Sequence, residues 1–278
     1  MKWAFFGTDE FSVLVLVELA KTGLKPDLII STPDQVQGRH LTLSPPPIKI
    51  WAQKNKIPLL QPESLKKDFI FSSGSWDLFL VASYGKIIPE SILEIPTHQV
   101  LNIHPSLLPL YRGPSPLQSA LLNGETETGV TIMLVDPEMD HGPILAQEKI
   151  DLTEGTNYLV LEKHLAILGA QLFAKIIPTW LTGQIKAGVQ NHALATYTRK
   201  FLKADGEINL ADSGLTNYHK YQALHPRPGV FTYLNHKKQP LRIIIKQAHL
   251  EADQFIIDRV IPEGRKEITW TEFQNGLK

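Results

Sequence analysis

The chain has 278 residues, of which 43% are hydrophobic and 20% charged, and its formal net charge is zero. These values are typical of a globular protein with one large domain or two. Cysteine is absent, which excludes a disulfide framework and a thiolate metal site.

The N-terminal region predicts neither secretion nor membrane insertion. The apolar run within Met1–Gly7 is too short for the core of a signal peptide. The longest apolar run, Val13–Ala20, is interrupted by Glu18 and is too short to span a bilayer. We therefore expect a soluble, cytoplasmic protein with no membrane contact.

Short, nearly continuous apolar runs in the first half of the chain predict strands that are buried on both faces. These runs are Lys2–Gly7, Asp27–Thr32, Asp77–Ser83, Gln99–His104 and Gly129–Asp136. Helical patterns cover Phe11–Lys21, Ile48–Asn55, Pro89–Leu93, Leu117–Asn123 and, as the longest, Tyr158–Leu181. The alternation of strands and helices predicts an α/β fold, with a doubly wound, mostly parallel sheet.

The turn after the first predicted strand argues against a dinucleotide cofactor. In the segment Gly7–Phe11, Gly7 is the only glycine of the G-x-G-x-x-G pattern that is present. Without the other glycines the backbone lacks the pyrophosphate cradle, so NAD and FAD are not expected. We also expect no metal requirement.

The predicted secondary structure changes near residue 200. Beyond it, short strands such as Val230–Leu234 and Leu241–Ala248 alternate with turns. We predict a large first domain over residues 1–182, a linker over 183–199, and a small β-rich domain over 200–278. Residues 199–278 contain 13 Lys and Arg against 9 Asp and Glu, a net charge of +4. This surplus favours a phosphate-bearing partner, or it merely solvates a surface.

Asn102 and His104 form the first candidate site. They lie two residues apart at the end of a predicted strand, so their side chains point to the same side. Ligands bind at the carboxyl ends of strands in open α/β sheets. Taken alone, such a pair at a strand end is more often a hydrogen-bonded loop anchor than a catalytic pair.

A second polar cluster, Asp136–Pro143, also follows a predicted strand and contains Asp140. We expect the two loops to converge. A carboxylate, an imidazole and a carboxamide together suit acyl transfer, in which the carboxylate orients the histidine and the amide stabilises an oxyanion. An amine acceptor can attack directly, so no Ser or Cys nucleophile is implied.

Several motifs resemble those of the folate-dependent formyltransferases. They are Asn102-Ile103-His104, Ser106-Leu107-Leu108-Pro109, Tyr111-Arg112-Gly113 and Glu127–Ile132, together with Asp140. The resemblance is dense over residues 1–150 and looser beyond. It implies a formyltransferase-type fold and a barrel-like C-terminal domain, which is shortened here by about two strands.

The resemblance also implies a formyl donor, 10-formyltetrahydrofolate, and roles for individual residues. Asn102 and His104 would hold the developing oxyanion, and Asp140 would hold His104. The residues expected beside the donor are Tyr84, Gly85, Ile87, Ser106, Leu107, Leu108 and Pro109. For Tyr84 and for the Ser106–Pro109 turn, a purely structural role in packing stays open.

The acceptor implied by the resemblance is the amino group of the initiator methionyl-tRNA, bound by a monomeric protein. Arg39, Lys237 and Lys238 would contact the RNA. The segment Gln35–Thr42 is less basic than the resemblance leads one to expect, because Arg39 is its only Lys or Arg. Three alternatives remain: an amino-sugar nucleotide acceptor, a non-catalytic module that binds tRNA or folate, and hydrolysis of the donor to formate.

Overall fold

The computed structural model describes residues 1–37, 42–65, 75–236 and 239–276. The chain forms two compact units. The first comprises Met1–Pro114, Glu127–Ile150 and Glu162–Tyr197. The second comprises Ser115–Thr126, Asp151–Leu161 and Thr198–Lys278.

The secondary structure up to residue 181 alternates strands and helices, as predicted. The strands are β1 (Trp3–Phe6), β2 (Leu28–Ile30), β3 (Gln35–Gln37), β4 (Thr42–Ser44), β5 (Leu59–Leu60), β6 (Leu78–Val81), β7 (Val100–His104), β8 (Glu127–Leu134) and β9 (Ile144–Asp151). The helices are α1 (Glu10–Lys21), α2 (Pro47–Lys54), α3 (Glu90–Leu93), α4 (Pro116–Leu122) and α5 (Tyr158–Leu181). None of the helices within the described ranges is long and apolar enough to cross a membrane.

A seven-stranded sheet with the order β5-β2-β1-β6-β7-β8-β9 forms the centre of the first unit. The pairs from β5 to β7 are parallel, and β8 runs antiparallel to β7. This confirms the predicted mostly parallel sheet. The chain leaves β1 toward β2 on one side and returns to β6 on the other, so the topological switch point lies between β1 and β6.

Packing on both faces of the sheet explains the continuous apolar runs. All four residues of β1 are buried. On one face, α1 starts at its N-cap residue Asp9, whose side chain accepts from the Ser12 amide, and it buries Val15, Leu16 and Leu19. Along α5, a Cβ built on Gly169 would lie 2.5 Å from the Ile103 side chain, so the helix approaches β7 as closely as glycine permits.

The second unit contains a four-stranded antiparallel sheet, which confirms its predicted β-rich character. Its strands, in sheet order, are β10 (Val230–His236), β11 (Gln239–Glu251), β12 (Gln254–Pro262) and β13 (Ile268–Thr269). Two further helices, α6 (Gly214–Leu224) and α7 (Trp270–Asn275), belong to this unit.

Candidate active site

The loops after β1 and β6 are joined by hydrogen bonds at the switch point of the sheet. The Thr8 hydroxyl donates to the Tyr84 carbonyl over 2.9 Å, and the Ser12 hydroxyl donates to the Ala82 carbonyl over 2.8 Å. The Ser83 hydroxyl donates to the Asp9 carboxylate. These contacts fix the carboxyl ends of both strands where an open α/β sheet binds its ligand.

Asn102 and His104 lie on β7, the next strand along, and share one face of it. Within the described residues, the carboxamide of the half-buried Asn102 makes no hydrogen bond, so its NH₂ group is available to a ligand. His104 is buried, and its Nε2 lies 3.0 Å from the Tyr111 carbonyl oxygen. Because a carbonyl oxygen only accepts, Nε2 carries a hydrogen, and Nδ1 is the nitrogen that can gain or lose a proton.

Asp140 faces that second nitrogen. One carboxylate oxygen accepts from the Gly113 amide over 2.7 Å, and the other lies 3.6 Å from Nδ1 of His104. The longer distance exceeds that of a hydrogen bond, so the two groups form a loose ion pair when His104 is protonated. Such contacts often tighten when substrates bind.

The predicted convergence of Asp140 with His104 is therefore present, but it has a different physical origin from a second strand end. Because β8 is antiparallel to β7, Leu134 lies opposite Leu101 at the start of β7. The chain after β8 first pairs Val135 with the carbonyl of Val100, and then folds back until Asp140 reaches His104.

The Ser106–Pro109 segment is a hydrogen-bonded turn, and its Leu108–Pro109 peptide bond is cis. The Ser106 hydroxyl donates to the Leu110 carbonyl over 2.6 Å, and the Thr131 hydroxyl donates to the Ser106 carbonyl over 2.7 Å. The side chains of Ser106 and Leu108 are buried, whereas Leu107 and Pro109 are half-buried. Leu107, Pro109 and the backbone are thus the parts of this turn that a ligand can reach.

The segment after β6 also contains both a buried side chain and parts that a ligand can reach. The Tyr84 ring packs edge-on against Phe6 at 5.4 Å and is only 2% exposed, and burial raises the pKa of its phenol to about 12. The structural role considered for this ring is therefore present. Gly85 adopts a φ of +77°, and the Ile87 side chain is 84% exposed.

The predicted RNA contacts Arg39, Lys237 and Lys238 lie outside the described residues. Sequence reasoning also missed two members of the site, Arg112 and Gln190. Arg112 is 1% exposed, and its guanidinium donates to the Gln190 carboxamide oxygen over 2.7 Å. The Tyr-Arg-Gly motif contained a signal for Arg112, but no local pattern marks Gln190.

Comparisons with known proteins find similarity over most of the chain. A family model described as formyl transferase matches residues 1–177. A methionyl-tRNA formyltransferase of Chloroflexus aurantiacus is 41% identical, over 91% of this chain and 82% of its own length. The methionyl-tRNA formyltransferase of Thermodesulfovibrio yellowstonii is 37% identical, over 99% of this chain and 95% of its own length.

Solved structures with the same fold include a methionyl-tRNA formyltransferase from Clostridium thermocellum, with a TM-score of 0.61, 20% identity and coverage of 97% of this chain and 99% of that one. An N-formyltransferase from Helicobacter canadensis, in complex with folinic acid and dTDP-3-aminofucose, has a TM-score of 0.63 and 20% identity. It covers 97% of this chain and 98% of its own.

Proposed function

The chain belongs to the formyl transferase family, and we propose that it transfers a formyl group from 10-formyltetrahydrofolate to the amino group of initiator methionyl-tRNA. The similarity to methionyl-tRNA formyltransferases over most of the chain supports this acceptor. The observation that carries the chemistry is the grouping of Asn102, His104 and Asp140 beside the switch point of the sheet.

In the proposed reaction the free amine attacks the formyl carbon, and a C–N bond forms as the carbonyl electrons move to oxygen. The amide of Asn102 donates to this oxyanion, because its NH₂ group has no competing partner among the described residues. Collapse of the tetrahedral intermediate breaks the bond to the donor nitrogen. That nitrogen takes up the proton that the attacking amine loses.

His104 supplies positive charge or a proton at the same centre. Its Nε2 hydrogen is held by the Tyr111 carbonyl, so Nδ1 is the atom that takes the proton from the attacking amine and passes it to the donor nitrogen. Asp140 faces this nitrogen and stabilises the imidazolium while the oxyanion exists. We assign catalytic roles to Asn102 and His104, and to Asp140 the role of orienting and charging His104.

The donor would lie beside the loops that follow β6 and β7. Accessible atoms are present there at Gly85, Ile87, Leu107 and Pro109. The buried side chains of Tyr84, Ser106 and Leu108 pack inside the protein and stabilise the loops. No metal takes part in the proposed reaction. Residues 1–182 would bear the reacting groups. The segment 183–199, expected as a linker, belongs up to Tyr197 to the same compact unit and contains Gln190. Residues 200–278 would contribute to binding of RNA.

The acceptor is tested by incubating the purified chain with 10-formyltetrahydrofolate and, in separate reactions, methionyl-tRNA, an amino-sugar nucleotide or water. The expected result is formylation of methionyl-tRNA alone, with activity that persists in the presence of EDTA. Formylation of the sugar nucleotide instead, or release of formate with no acceptor formylated, would replace the proposed function by the corresponding alternative.

The proposed RNA interface gives a prediction about salt. Replacing Lys237 and Lys238 by alanine should weaken tRNA binding and flatten the slope of log K against log salt by about 0.7–0.9 for each phosphate that is no longer neutralised. The kcat at saturating tRNA should barely change. Replacing the exposed α5 residues Lys163 and Lys175 is the matched control and should leave the slope unaltered. Equal slopes for the two double variants would remove Lys237 and Lys238 from the RNA interface.

A further inference from the structure

Three consecutive residues, Tyr111, Arg112 and Gly113, connect to both members of the His104–Asp140 pair. The Tyr111 carbonyl accepts from Nε2 of His104 over 3.0 Å, and the Gly113 amide donates to the Asp140 carboxylate over 2.7 Å. The side chain between them, Arg112, is buried, and a buried guanidinium must be paired to be tolerated. The partners of Arg112 therefore help to fix the backbone that holds His104 and Asp140.

Arg112 is paired with side chains from a later part of the first unit. Its Nε and Nη2 donate to the carboxamide oxygen of Gln190 over 3.2 and 2.7 Å, and Nη1 donates to the Tyr197 hydroxyl over 3.1 Å. Nη2 also lies 2.9 Å from Nδ1 of His192, which accepts because a guanidinium has only donors. The double contact fixes the carboxamide of Gln190, with its oxygen toward Arg112 and its NH₂ group pointing away.

The NH₂ group of Gln190 holds the backbone around Asp140. It donates to the Asp140 carbonyl over 3.0 Å and to the Gly142 carbonyl over 2.7 Å. Asp140 has a φ of +51°, a left-handed conformation that non-glycine residues adopt only when their surroundings impose it. Gln190 is only 4% exposed, so water has little access to replace its amide. Removing the amide would therefore leave these two carbonyls without this hydrogen-bond donor, which is costly.

We propose that Arg112 and Gln190 are positioning residues for the formyl transfer. Arg112 orients Gln190, Gln190 holds Asp140 in its left-handed conformation, and the Asp140 carboxylate is thereby kept opposite Nδ1 of His104. Neither side chain need touch a substrate. The inference rests on the proposed function, so the chain is first assayed without substitutions. Lack of formyl transfer at that stage would refute the proposed function, not the positioning role.

The decisive variant is Gln190→Glu. The new carboxylate still accepts from Arg112, so the buried charge stays paired, but it cannot donate to the two carbonyls. We expect kcat to fall at least about tenfold, because small displacements of a catalytic group are costly, while KM for both substrates changes less than about threefold. If this variant does not fold, Gln190→Met removes the same donor without adding a charge, but it also removes the oxygen that accepts from Arg112 and so tests both contacts together.

A double variant separates positioning from a merely structural role. If Gln190 acts through Asp140, then adding Gln190→Glu to Asp140→Ala should lower kcat by less than about twofold further. Gln222→Met is the matched control, since the buried Gln222 amide donates to the Thr156 carbonyl in the second unit, and it should leave kcat unchanged. An unaltered kcat in folded Gln190→Glu, or an equal fall in both backgrounds, would overturn the proposal.

Discussion

Replacement of Asn102 or His104 by alanine is expected to lower kcat for formyl transfer by about 10²-fold or more. Loss of an oxyanion donor or of a proton-carrying group costs about this much in other acyl-transfer sites. Folding should survive the Asn102 change, because within the described residues its carboxamide supports no other group. The measurement is single-turnover formylation of methionyl-tRNA at saturating donor.

Two variants of Asp140 distinguish the effect of its negative charge on His104 from that of its hydrogen bond with the Gly113 amide. Asp140→Ala should lower kcat by a similar factor of about 10². Asp140→Asn keeps an oxygen that can accept from the Gly113 amide but removes the negative charge opposite His104. If charge is what matters, Asp140→Asn should lower kcat nearly as far as Asp140→Ala does.

His141 provides the control for all of these variants. It lies next to Asp140 in the same loop, but its Nδ1 bonds to the Asp136 carboxylate at 2.7 Å and its ring stacks on His192. His141→Ala should change kcat less than about threefold. A His104→Ala protein that retained nearly full turnover would show that the catalytic assignment is wrong.

The parts of the fold that the sequence predicted are those in which local pattern and burial agree. The helix Tyr158–Leu181 was predicted with the bounds that the structure has, because its apolar side chains recur at helical spacing. The central strands were predicted because they are covered on both faces. The strand β9 was missed, since it lies at the edge of the sheet and its AQEK stretch carries no apolar run.

The same distinction holds for the site. Asn102 and His104 could be predicted, because residues two apart on a strand share a face whatever surrounds them. Gln190 could not, because its amide meets the carbonyl of Asp140, 50 residues away in sequence, and only the tertiary structure brings them together. The antiparallel pairing of Gln35–Gln37 with Thr42–Ser44 was likewise not expected, because this segment was considered only as a weakly basic loop.

Gly142→Ala is expected to lower kcat nearly as much as replacing Asn102 or His104 by alanine, although glycine has no side chain to contribute. A Cβ at this position would lie 2.1 Å from the Leu134 carbonyl oxygen and 3.0 Å from its carbon. Both atoms belong to the backbone of β8, which cannot rotate away as a side chain would, so the 140–142 segment must move. Its displacement would pull the Gly142 carbonyl from Gln190 and the Asp140 carboxylate from His104.

A shift of about 1 Å in such a group can lower kcat by about 10²-fold, which is the expected loss for Gly142→Ala. Gly188→Ala is the matched control. Gly188 pairs with Ile144 two residues further along, but a Cβ there meets no atom within 4 Å and its φ is not in the left-handed region. We expect that variant to keep its kcat and melting temperature. A Gly142→Ala protein with normal kcat would mean that the site tolerates movement of Asp140, and that His104 acts without a fixed carboxylate beside it.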